Sequence, residues 1–209
     1  MRVILAEKPS VAQSIAAVLG ADQKKNGYLQ GENDLVSWCI GHLIELAPPE
    51  IYDARYAKWR RKDLPIVPSV WESVVSDGTK KQFAVLKDLL NRTDVDEVVC
   101  ATDAGREGEL IFRMAYEKTG CTKPVKRLWI SSLEESAIRD GFRSLKPGTV
   151  YDALYRAALC RAQADWLVGI NGTRLYSRLY GTKLNVGRVM TPTLAMLVQR
   201  EKEIAAFQV

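Results

Sequence analysis

The stretch Val98–Gly120, VVCATDAGREGELIFRMAYEKTG, decides how this chain reads. An apolar, β-branched run ends at Thr102-Asp103. A glycine, an arginine and two glutamates follow, and apolar residues then recur at helical spacing. The pattern predicts a buried strand over 97–101, a turn, and a helix from about Gly108 to Lys118. Asp103, Glu107 and Glu109 crowd the junction, with Gly105 midway between the first two. Two explanations are open. Glu107 and Glu109 can be first-turn acids favoured by the helix dipole, with Asp103 as the cap. Alternatively, the carboxylates face a cation. Gly105 on its own reads as turn chemistry.

A second unit of the same kind opens the chain. Arg2–Ala6, RVILA, is a β-rich run that stops at Glu7, and Lys8-Pro9 breaks it. Ser10 and Gln13 have the spacing of a capping box, so a helix is expected to start at Ser10 and to stop at Gly20. Residues 28–46 read as short strands between glycine turns, and 47–78 as a proline-rich irregular loop. Lys80–Asn91 is an amphipathic helix pattern. Val125–Ile130 reads as a third buried strand, and Ser132 with Glu135 forms a second capping box before a helix to about Leu145. Strands alternating with helices predict an α/β fold, a parallel sheet flanked by helices. After Pro147-Gly148 the texture changes. Residues 151–180 hold no proline, and Thr191–Phe207 is a further helix with Pro192 in its first turn. The expected division is a domain over 1–148, carrying the basic loop at about 47–78 as an insertion, and a mainly helical segment over 149–209.

The bulk numbers narrow the class. With 209 residues, 47% hydrophobic and 26% charged, the composition is that of an ordinary globular protein. No apolar window is long enough for a membrane span, and the N-terminal apolar run is too short for a signal peptide, so a cytoplasmic location without membrane contact is expected. Cys39, Cys100, Cys121 and Cys160 form no C-x-x-C pair, which argues against zinc and disulfides. The net charge is +5. From Tyr151 onward Arg156, Arg161, Arg174, Arg178, Lys183, Arg188, Arg200 and Lys202 outnumber Asp152, Asp165, Glu201 and Glu203. A second basic cluster, DARYAKWRRK, sets Arg55, Lys58, Arg60, Arg61 and Lys62 beside Trp59 and two tyrosines. Cations mixed with aromatics can hold a phosphate backbone, with Trp59 and Trp71 as candidate stacking residues. The single histidine, His42, follows Gly41 and reads as a turn or core residue.

Ligands of an open α/β sheet bind beyond the carboxyl ends of its strands. Glu7 ends one strand and Asp103 another. Were those strands neighbours, Glu7, Asp103 and Glu107 would converge. Two carboxylates about 4 Å apart repel by about 4 kcal/mol at a near-surface dielectric, and a cation relieves this. Oxygen ligands on turns favour Mg²⁺, which keeps several waters and bridges to phosphates. Lys8 is placed to offset phosphate charge.

At this point the motifs match a known family. AEKPS (Ala6–Ser10) with ATDxxREGE (Ala101–Glu109) resembles the Toprim domain of bacterial type IA DNA topoisomerases of the topoisomerase III kind. The segments 41–68 (GHLIELAPPEIYDARYAKWRRKDLPIVP), 161–177 (RAQADWLVGINGTRLYS) and 185–198 (NVGRVMTPTLAMLV) are similar to elements that follow in that family, in the same order. The resemblance implies an enzyme that cuts one DNA strand through a tyrosine, passes another strand and reseals. It implies Glu7 beside the scissile phosphate as the acid for the leaving 3′-oxygen, Lys8 stabilising phosphate charge, and Mg²⁺ held by Asp103 and Glu107, with Glu7 as a third ligand. It places Arg188, Asn185 and Thr191 against single-stranded DNA, with Arg161, Gln163 and Arg174 as weaker candidates for that surface. A RecQ-type helicase or a single-strand-binding protein is an implied partner, the nucleoid an implied location, and the chain itself is expected to be monomeric.

Two departures stand out. The family pattern D-x-D-x-E has Gly105 at its middle acid, so a leaner metal site is expected. The glutamine of GRVQTPTL is Met190. None of the tyrosines is followed by Pro-Arg, the context of the family's nucleophile, so the chain reads as an N-terminal fragment. A stand-alone Toprim-like binding module and another Toprim enzyme, a primase or nuclease, are the alternative readings.

Overall fold

Four parallel strands carry the frame. The computed structural model describes residues 1–208. In chain order its elements are β1 (Arg2–Ala6), α1 (Pro9–Leu19), β2 (Gln23–Lys25), β3 (Tyr28–Gln30), β4 (Asp34–Trp38), β5 (Ile44–Leu46), α2 (Pro49–Tyr52), β6 (Ser73–Val75), α3 (Lys80–Leu90), β7 (Glu97–Ala101), α4 (Arg106–Thr119), β8 (Val125–Arg127), α5 (Glu135–Arg143), β9 (Lys146–Pro147), α6 (Asp152–Tyr180) and α7 (Met190–Ala205). The main sheet runs β2-β3-β4-β1-β7-β8-β9. Its centre, β4-β1-β7-β8, is parallel, as expected. Its margins are antiparallel, which the expectation of a parallel sheet lacked. The connections among β2, β3 and β4 are a few residues long, too short for a crossover, so those strands can only fold back.

Burial follows from position in the sheet. Val3, Ile4, Leu5 and Ala6 are fully buried, because a central parallel strand is covered on both faces. Ile4, Ala6, Val36, Val99 and Ala101 pack with Ile15 of α1 and Ile138 of α5 in one cluster. Alternate residues face the other way. There Cys100 Sγ reaches Glu109 Oε1 of α4 at 3.9 Å.

Helix starts differ from the sequence reading. α1 begins at Pro9, not Ser10, with Lys8 as N-cap and no side-chain cap. Proline at the first position presets φ and makes the capping box unnecessary. α5 begins at Glu135 with Glu134 as N-cap, again uncapped by a side chain; Ser132 Oγ instead accepts from the Glu134 N–H at 3.2 Å. β8 keeps only Val125–Arg127, shorter than the expected 125–130.

The chain forms two compact units. One comprises 1–45 and 73–159, the other 46–72 and 160–209. Val209, the last residue of the expected helical segment, lies outside the described residues. Within the second unit most of the expected irregular loop is ordered by packing. Trp166 Nε1 donates to Ala47 O at 3.0 Å, and its ring meets Tyr52 and Trp71 edge-on. Asn171 clamps Ile66, accepting from its N–H at 2.6 Å and donating to its carbonyl at 2.9 Å. Trp71 is thus a packing residue, not a free stacking platform. Among the described residues no helix is long and apolar enough to cross a membrane.

Candidate active site

The register of β1 against β7 sets Ala6 opposite Ala101. One step beyond each strand end, the chain turns. Glu7 Oε2 accepts a hydrogen bond from the Asp103 backbone N–H at 3.2 Å, so the two strand ends meet as their sequence positions predict. Lys8 and Asp103 are exposed and Glu7 is half-buried. Glu107 lies exposed in the first turn of α4, with Oε2 3.8 Å from His42 Nε2. His42 is thus half-exposed beside an acid, not a core residue. Among the described residues no three His, Cys, Asp or Glu side chains gather as a metal-binding group. The expected trio Glu7, Asp103 and Glu107 is therefore not assembled as it stands: Glu7 is occupied on a backbone amide, and Glu107 faces His42.

What holds the turn is a buried ion pair that the sequence reading missed. Glu109 is 1% exposed and Arg127 1% exposed. Arg127 Nε pairs with Glu109 Oε1 at 2.6 Å. The rest of the guanidinium donates to the carbonyls of Cys100, Thr102 and Leu128 at 3.2, 2.7 and 2.7 Å and of Asp103 at 2.7 Å. A buried charge pair needs such additional hydrogen bonds to offset its desolvation. Glu109 also lies 3.5 Å from Arg113 Nε, and Arg113 reaches Asp152 Oδ1 at 2.8 Å. Of the two glutamates in GREGE, then, Glu109 is buried scaffold and Glu107 is exposed beside His42. A lone arginine inside the apolar run VKRLWI was the signal available for Arg127.

Two glycines have opposite roles. A Cβ on Gly108 would lie 2.1 Å from Asp103 O, so only glycine lets the helix approach the turn; Thr102 Oγ1 donates to Gly108 O at 2.8 Å and locks that approach. Gly105 is the N-cap of α4 in extended conformation (φ −179, ψ 176), and a Cβ there would meet nothing within 4 Å. Any residue could stand at 105, and Asp103 is not the helix cap. Beneath the turn, burial pushes the Cys100 thiol up to about 11. A pocket of about 330 Å³ opens beside Asp103, lined by Val11, Ala104, Ile130, Ser131, Ser132 and Leu133.

The residues expected to meet DNA lie in the second unit, and most are engaged. Arg188 Nε pairs with Asp165 Oδ1 at 2.6 Å, and Arg161 Nε lies 3.9 Å from Asp165 Oδ2. Thr191 Oγ1 accepts from the Gly187 N–H at 3.0 Å. Asn185 is exposed and Gln163 half-buried. Arg174 must be corrected: it is 6% exposed, donates to Tyr56 O at 2.7 Å and lies 3.7 Å from Glu50. Burial lowers its pKa, the mark of a cation turned inward.

Comparison with known proteins fits this geometry. The Toprim domain family matches residues 2–133, and the DNA topoisomerase family matches 149–209. The DNA topoisomerase 3 of Bacillus thuringiensis (strain Al Hakam) is 52% identical over 206 residues, which cover 99% of this chain and 28% of that protein. The DNA topoisomerase 3 of Shouchella clausii (strain KSM-K16) is 54% identical over the same shares. The solved structure of full-length topoisomerase I from Thermotoga maritima superposes with a TM-score of 0.68 at 25% identity, covering 99% of this chain and 31% of that one. The chain spans 28% of the length of these curated relatives. With the family match running from β1 past β8, through the strand ends that carry Glu7 and Asp103, the chain belongs to the Toprim domain family.

Proposed function

We propose that the chain is the N-terminal portion of a type IA DNA topoisomerase of the topoisomerase III kind, with 1–148 as the Toprim domain and 149–209 as the start of the DNA-binding domain. The observation that carries this reading is the meeting of Glu7 and Asp103 across adjacent parallel strand ends. The names of the relatives agree with it.

The chemistry is a transesterification. A tyrosine hydroxyl releases its proton to solvent as its oxygen attacks a DNA phosphorus, the bond to the 3′-oxygen breaks, and that oxygen leaves with a proton. Glu7 in its acid form supplies the proton and takes it back when the 3′-hydroxyl reattacks. Lys8 offsets charge on the phosphate in both directions. The nucleophile is supplied from outside these residues, because none of the eight tyrosines stands in a Tyr-Pro-Arg context.

The donor set fits Mg²⁺ in a lean form. Asp103 and Glu107 are exposed carboxylates, and Mg²⁺ is held by one or two carboxylates with waters and phosphate completing its shell. Bound there, it would neutralise phosphate charge during rejoining. Single-stranded DNA is the substrate, the cytoplasm and its nucleoid the setting, and a RecQ-type helicase or single-strand-binding protein the partner class.

The test has two arms. Calorimetric titration of Mg²⁺ into the chain and into Asp103→Asn should show binding that weakens at least tenfold in the variant; equal affinity would sink the metal assignment. Relaxation of supercoiled plasmid by the corresponding longer protein should fall by ~10²–10³ on Lys8→Ala, the effect of losing one transition-state charge partner.

A further inference from the structure

His42, the only histidine, has no part in the chemistry above, yet the fold carries it to the same edge. β4 runs parallel to β1 with Trp38 opposite Ala6, and just past the end of β4 the Cys39 N–H donates to Ala6 O at 2.8 Å. Two residues later Gly41 turns the chain in left-handed backbone (φ 64), where a side chain would be strained. On the other side of His42, Leu43 and Ile44 are buried. The Leu43 carbonyl accepts from the Ser76 N–H at 3.0 Å and from Thr79 Oγ1 at 3.2 Å. His42 is therefore held between a fixed turn and a buried anchor. Three strand ends bring donors to one edge: His42 follows β4, Glu7 follows β1 and Asp103 follows β7, with Glu107 opening α4.

The spacing of the pair fits a shared ion better than a direct bond. His42 Nε2 lies 3.8 Å from Glu107 Oε2, beyond hydrogen-bond length, and the side chains are 47% and 53% exposed. An ion pair so exposed contributes little by itself. Metal–ligand bonds of about 2.1 Å set neighbouring atoms of one coordination shell about 3.0–3.5 Å apart. Closing the difference takes roughly half an ångström, a small movement for half-exposed side chains. The edge is otherwise short of donors. Glu7 Oε2 is engaged by the Asp103 N–H at 3.2 Å, and Gly105 offers no side chain although the space beside it is open.

We infer that His42 is a metal ligand of the acid edge, placing Nε2 beside Glu107 and Asp103 in the shell of one divalent ion, and that it turns the site from Mg²⁺ toward a first-row transition ion such as Mn²⁺. Shells of oxygen alone suit Mg²⁺, whereas an imidazole nitrogen favours the transition ions over it. The inference rests on the reading of Asp103 and Glu107 as cation ligands, and it adds the donor that sets which cation they take. Water and phosphate complete the shell for either ion.

The experiment uses Mn²⁺ alone as the probe. Titration of the chain, followed by loss of the free-ion EPR signal, is set beside calorimetry with Mg²⁺ and should give Mn²⁺ an advantage of about tenfold. His42→Ala should cut that advantage about fivefold. His42→Gln, which keeps a polar side chain but loses the imidazole nitrogen, should do the same. Pulsed EPR of the bound Mn²⁺ should show modulation from a coordinated nitrogen that both variants lose, and the single histidine gives that signal one source. A bound Mn²⁺ without nitrogen modulation in the parent would overturn the inference. So would an advantage that neither variant changes; His42 would then be no more than an exposed partner of Glu107. Asp103→Asn separates the two claims. It should weaken both ions. Unaltered affinity for both would overturn the cation site itself and the inference with it, whereas weakened binding with no nitrogen signal in the parent would overturn the role of His42 alone.

Discussion

The ends of β1 and β7 follow one plan and are closed by different means. Each is a buried parallel strand that turns into a helix, and each presents an acid at the turn. At β1 the closure is local. Pro9 fixes the entry to α1, no acid sits in the first turn, and Gly20 ends the helix in the left-handed region (φ 71). At β7 the closure comes from elsewhere in the chain. Arg127, on β8, gathers the carbonyls of Thr102 and Asp103, and the buried Glu109 holds Arg127. Gly108 lets the helix sit against the turn. The difference teaches that an exposed carboxylate such as Asp103 is placed by charged groups that never meet solvent.

That contrast can be broken in a definite order. The largest effect is expected at the buried pair. Glu109→Gln or Arg127→Leu strands a buried charge and should destabilise by about 3–5 kcal/mol in urea unfolding. The Cys100 thiol, protected in the parent at neutral pH, should then become open to iodoacetamide, while the exposed Cys160 reacts in both. Next comes Gly108→Ala, where overpacking against Asp103 O should cost about 1–3 kcal/mol and weaken Mg²⁺ binding with it. At the local turn, Gly20→Ala forces a side chain into left-handed backbone for about 1 kcal/mol and should leave Mg²⁺ binding alone. A metal effect there would show that the two turns are coupled. The smallest stability change is expected from Gly105→Asp, within about 0.5 kcal/mol, because its Cβ meets open space. Its signature is tighter Mg²⁺ binding, severalfold by calorimetry; unchanged affinity would mean that the missing acid is not a missing ligand.

The acid edge was legible because it rests on local punctuation. RVILA followed by Glu-Lys-Pro, and VVCA followed by Thr-Asp, each announce a strand that ends at a charged turn. The capping boxes at Ser10 and Ser132 were equally local and misled, since Pro9 had already set one helix start and Ser132 was spent inside its own turn. The arginines were harder. Sequence proximity does not say which carboxylate a long side chain will find. Arg188 meets Asp165, far back on α6, and Arg174 turns inward to Tyr56.

The sequence by itself determined the alternation of strands and helices, the position of Glu7 and Asp103 at strand ends, and the change to helical texture after Gly148. These depend on periodicity and on residues a few positions apart. Tertiary structure alone decided that Glu109 is buried while Glu107 is exposed, that Arg127 holds the Asp103 turn, that Gly105 is a free choice and Gly108 is not, and that Arg174 turns inward to Tyr56. Each of those outcomes depends on which distant segment fills the space next to a side chain. Desolvation and ion pairing are set by that neighbour, and no local pattern records it.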